Sequence, residues 1–124
     1  MDWPPQVGHP LPHAADALGV QEKLEGYSLN FDHVEGGPKA NGFAVILGIT
    51  ADAAPYLEAQ IRAAIKTSPV SAIRANPPHG INCVVEFPIR GIGSRSDRVI
   101  TLRTIWLTVG PGTPPRLITA LLKP

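Results

Sequence analysis

The sequence predicts an α+β domain in which N-terminal helices pack on a mostly antiparallel sheet of about four strands. Three observations predict it. Apolar residues recur at spacings of three and four through the first half of the chain, alternate at period two after the Pro77-Pro78 break, and are punctuated by short glycine- and proline-rich turns. Helices first and strands afterwards suit a sheet whose one face is covered by the helices.

Residues 1–13 carry Pro4, Pro5, Pro10 and Pro12 and read as an extended or disordered leader, because proline fixes φ and removes a backbone donor. Residues 14–124 read as a single domain; a chain of 124 residues with 44% hydrophobic content suffices for one ordinary core. A short helix is expected over 21–27, where Val20, Leu24 and Tyr27 fall on one side. Residues 30–38 are turn-rich, and Pro38 suits the first turn of a second helix whose apolar face is Ala40, Phe43, Ala44 and Leu47, ending near Gly48. A third helix spans 53–66, with Leu57, Ile61, Ala64 and Ile65 as its stripe and Glu58 and Arg62 paired at i,i+4.

The strands follow. A weak one is expected over 70–74. Over 81–89, Cys83, Val85, Phe87 and Ile89 alternate with Asn82, Val84, Glu86 and Pro88. Residues 91–97 form a loop, and 98–109 is the longest strand, its parity separating Arg103, Ile105 and Leu107 from Leu102, Thr104 and Trp106. A proline-rich turn then leads to a last strand over 116–122.

Several function classes are excluded. Eleven basic and ten acidic residues leave a net charge of +1, which does not describe a strongly basic nucleic-acid binder, although charge can still gather in a patch. Arg90, Arg95, Arg98 and Arg103 make one such local hairpin. The lone Cys83, in an apolar run, reads as a buried thiol. His9, His13 and His79 have no metal-ligand spacing, and neither a metal nor a cofactor is expected. The glycine-containing stretch 91–95 joins two strands rather than opening a helix, which a nucleotide loop requires. The N-terminus lacks a basic start and an apolar signal core, and no apolar run is long enough to span a bilayer, so a cytoplasmic location with no membrane partner is expected.

The chemistry-bearing residues lie at the two ends. His33 and Lys39 flank Gly36 and Gly37 just ahead of a helix, and Arg103, Thr104, Arg116 and Thr119 sit on two strands expected to be neighbours. RNA is cut without a metal when one group removes the 2′-hydroxyl proton, another protonates the leaving oxygen and cations stabilise charge on phosphorus. In that scheme His33 exchanges protons, Lys39 with Arg103 or Arg116 clamps phosphate, Thr104 and Thr119 position an oxygen, and Tyr27 adds a hydroxyl or a stacking face. The competing structural roles are equally concrete: Arg103 as one half of a cross-strand ion pair with Asp97 or Glu86, Trp106 as core, and Lys39 as a solvated helix residue.

LPHA at 11–14, KLEGYSLN at 23–30, His33, GGPKANGF at 36–43, LRTIW at 102–106 and PRLITA at 115–120 together resemble a family of small bacterial domains. Those domains occur at the C-termini of polymorphic or contact-dependent toxins and as stand-alone proteins. Toxin domains of this layout look like the ribonuclease superfamily of colicin D, EndoU and RelE. The resemblance implies a metal-independent endoribonuclease acting on tRNA or other RNA and neutralised by a cognate immunity or antitoxin protein. It implies His33, Lys39, Arg103 and Thr104 as catalytic residues, with Lys23, Tyr27, Arg116 and Thr119 binding substrate. Val34 stands where proline usually follows the histidine, and the 91–97 loop is longer than the tight turn of such relatives. The alternative is a non-enzymatic protein-binding module, or the inhibitor component of a toxin–antitoxin-like pair, using a sheet edge or the arginine hairpin.

Overall fold

A computed structural model describes residues 3–34 and 36–123. The chain forms helices α1 (Val20–Lys23), α2 (Gly37–Gly42) and α3 (Ala54–Ile65), then strands β1 (Val70–Asn76), β2 (Gly80–Arg90), β3 (Val99–Thr108) and β4 (Arg116–Lys123). The strands make one antiparallel sheet in the order β1-β2-β3-β4, so the α+β arrangement is as expected.

Both short helices loosen into π-helical turns, α1 over Leu24–Ser28 and α2 over Phe43–Leu47. The second turn stops at Gly48, whose φ of 68° is easily reached only without a side chain. Pro38 occupies the first turn of α2, where its missing N–H costs nothing. The stripe of α3 is fully buried at Leu57, Ile61 and Ile65, each such side chain contributing about 2 kcal/mol on leaving water.

The core lies between helices and sheet. Cys83, Val85, Phe87 and Ile89 of β2 and Leu102, Thr104 and Trp106 of β3 turn inward against Leu24, Phe43, Leu47 and Leu57. Alternate residues, Glu86, Arg103, Ile105 and Leu107 among them, occupy the opposite, half-buried face. β1 is exposed from Ser71 through Ala75 on both faces.

The proline-rich leader is docked rather than loose over its described part. Gly8 N–H donates to Val70 O at 2.9 Å, Val70 N–H donates to His9 O at 2.8 Å, and Leu11 is buried. Further on, Leu18 bridges in parallel to Arg116 and covers the start of the β4 edge. Among the described residues, no helix is long and apolar enough to cross a membrane.

Candidate functional site

The Gly36-Gly37 pair sets the site's geometry. A Cβ on Gly36 would lie 2.1 Å from Tyr27 O, and one on Gly37 would lie 2.7 Å from Phe31 O, so only glycine lets the start of α2 press against the turn after α1. In that contact Gly36 N–H donates to His33 Nδ1 at 3.0 Å and Gly37 N–H donates to His33 O at 2.7 Å. The His33 ring then meets the Tyr27 ring edge to face, centroids 4.6 Å apart.

From the first turn of α2, Lys39 reaches the same tyrosine. Its Nζ donates to Tyr27 Oη at 2.9 Å, lies 4.5 Å from the ring centroid and approaches Thr119 Oγ1 at 3.4 Å. Lys23 Nζ also approaches the ring, 5.7 Å from its centroid. Thr119 is delivered by a β-bulge: Trp106 pairs with Leu117 and Ile105 with Thr119, leaving Ile118 as the extra residue. Arg116 lies further along, its guanidinium 3.2 Å from where a Cβ on Gly19 would be. Gly19, Lys23 and Tyr27 recur every four residues, so Arg116, Lys23 and Lys39 line up along one side of the first helical segment.

Five of the candidates therefore meet in one corner: Lys23, Tyr27, His33, Lys39 and Thr119, with Arg116 at its end. Arg103 and Thr104 do not join them. The Arg103 Nε donates to Glu86 Oε2 at 2.8 Å across β2 and β3, and Lys123 Nζ reaches Glu86 Oε1 at 3.2 Å. That partner is one of the two expected from the sequence. Glu86's carboxyl is held below the usual range, chiefly by the Arg103 hydrogen bond and further by Lys123. Thr104 is fully buried on the other face; its Oγ1 donates to Val85 O at 2.7 Å and accepts from Trp106 Nε1 at 2.8 Å. Trp106 is core, as its parity predicts.

Beside the corner, α2 and β4 enclose an apolar groove of about 470 Å³, lined by Pro38, Ile46, Ile100, Leu121 and Leu122, with Lys39 on its wall. Neither Ile46 nor Leu122 stands out in the sequence, where the helix face reads as Ala40, Phe43, Ala44 and Leu47 and Leu122 only ends the last strand. Cys83 is buried, and burial raises its thiol pKa, with an opposing hydrogen bond to Thr108. Among the described residues, no three His, Cys, Asp or Glu side chains converge as a metal site.

Neutral His33, accepting from Gly36 at Nδ1, carries its proton on Nε2. Lys39 makes no ion pair among the described residues, so its cation is solvated by hydroxyls and a ring face instead of a carboxylate.

A helix-covered antiparallel sheet with a lysine- and tyrosine-bearing corner at its β4 end defines the class: a small α+β domain. The chain belongs to the family described as Domain of unknown function (DUF6883), whose sequence profile matches residues 10–123. Neither a curated protein nor a solved structure matches it.

Proposed function

We propose that the domain is a metal-independent endoribonuclease, acting on tRNA or other RNA as a toxin effector with a cognate inhibitor, and that its site is the Tyr27/His33/Lys39/Thr119 corner. The observation that carries this reading is Lys39 Nζ, poised between two hydroxyls and paired to no carboxylate among the described residues. A phosphodiester brought there meets the Lys39 and Lys23 cations, which offset charge building on phosphorus. Tyr27 Oη accepts from Lys39, so its own O–H is directed to donate to a phosphate oxygen, and Thr119 adds a second hydroxyl. To serve as the base for a 2′-hydroxyl, His33 must first release Gly36, because one ring nitrogen already accepts and the other already carries the proton.

That requirement favours a second reading, in which the corner binds without cutting and the domain is a non-enzymatic protein-binding module. The two separate in one experiment. Purified protein is incubated with total RNA in chelator beside His33→Ala, Lys39→Met and Arg103→Ala. Cutting by the parent and by Arg103→Ala, lost in the other two, supports the nuclease at this corner. Intact RNA in every tube overturns it and leaves the binding module.

A further inference from the structure

We infer that the groove beside Lys39 is a docking site for a partner polypeptide that presents an apolar side chain next to a carboxylate. The lining argues for hydrocarbon: Pro38, Ile46, Ile100, Leu121 and Leu122 offer no side-chain hydrogen-bonding group. A nucleobase placed there would bury its polar edges unpaired, whereas a leucine-like side chain forfeits nothing. The charge argues for an anion alongside it. Lys39 forms part of the groove wall and gives two of its three Nζ protons to Tyr27 and Thr119, so the third is left for a charge-assisted hydrogen bond to a carboxylate beside the entering side chain.

The surroundings argue for a protein rather than a free small molecule. Phe31 is 53% exposed and Val34 is 92% exposed in the turn that holds His33, and Phe31 O packs on Gly37 immediately before Pro38 of the groove. These exposed apolar side chains, in the turn packed on the start of α2, offer a polypeptide further surface to cover beyond the groove itself, as protein interfaces do. Occupancy would also cover Lys39, so a partner seated here blocks any anion the corner binds. The inference needs no RNA cleavage.

The test is a titration of the isotope-labelled full chain, without RNA, with a blocked pentapeptide in which leucines flank an aspartate. The same peptide with lysine for aspartate, octanoate and uridine monophosphate serve as comparison probes. Methyl signals of Ile46, Ile100, Leu121 and Leu122 are expected to shift with the aspartate peptide, and Lys39→Met to weaken that binding by about tenfold. Spectra of Lys39→Met with core methyls in place establish that the variant is folded. Unmoved groove methyls at millimolar peptide would overturn the proposal, as would equal binding of the lysine peptide. Stronger shifts with octanoate would overturn it in favour of a small amphiphile, and stronger shifts with the mononucleotide would assign a base subsite. Because cutting is not assayed, a negative result here is distinct from an inactive nuclease.

Discussion

Two basic regions of this domain use their cations in opposite ways. On the outer sheet face, Arg103 and Lys123 both close on Glu86, and the acid's lowered pKa records the interaction. In the corner between the first two helices and β4, Lys39 is held by Tyr27 and Thr119 and Lys23 overlies the ring, with neither lysine in an ion pair among the described residues. A paired cation has already exchanged its water for a carboxylate and has little to offer a ligand. A cation on hydroxyls and a π face keeps most of its field for an incoming anion. Local density of arginine is therefore a poorer guide to a binding site than what each cation already touches.

The largest effect should come from breaking the corner's scaffold. Gly36→Ala puts a methyl 2.1 Å from a backbone carbonyl, which cannot swing aside as a side-chain tip could. A loss of about 3 kcal/mol in urea unfolding is expected, together with loss of anion binding at the corner. Lys39→Met comes next: a fall in RNA cutting of about a hundredfold, equivalent to about 2.7 kcal/mol on the barrier, with stability nearly unchanged. Arg103→Ala under the same assay should cut like the parent. If the two variants lose activity equally, the contrast between the regions has no functional content.

Thr104→Val tests the third environment, the core. It leaves Trp106 Nε1–H and Val85 O without the hydroxyl that joins them, at a cost of about 2 kcal/mol in unfolding free energy. Cutting measured well below the lowered melting point should persist, since the Thr104 hydroxyl is engaged by Val85 and Trp106 and not by the corner's side chains.

Much of this was legible in the sequence, and the part that was not has a physical reason. Period-two alternation foretold that Arg103 and Thr104, adjacent on a strand, face opposite sides, so a single site drawing on both conflicted with the parity of its own strand. The Glu86 partnership was likewise visible as a cross-strand possibility. Gly36-Gly37, legible only as part of a turn-rich stretch, turns out to be a contact, because a glycine pair signals permission for close approach without saying what approaches. The meeting of Lys39 with Thr119 joins residues 80 apart and depends on the bulge at Ile118; nothing in a threonine's sequence context reports such a shift. The groove escaped notice since half-buried leucines on an end strand share the composition of a core.

The smallest effect is the most pointed test of the outer face. Glu86 has a folded pKa below its unfolded one, so its stabilising contribution is complete above the unfolded carboxylate range and disappears as pH falls through the folded value. The pairs are partly exposed, Arg103 at 39% and Lys123 at 46%, so solvent screens them; the gap between parent and Glu86→Gln should be about 0.5 kcal/mol near neutrality. It should close in acid, where the protonated parent resembles the amide, and shrink in high salt. The same substitution releases Arg103 and Lys123 from their acid. If Glu86→Gln then gains phosphate binding on the outer face, pairing alone had silenced those cations. If it gains none, the hydroxyls and ring of the corner contribute geometry that bare charge on a sheet does not.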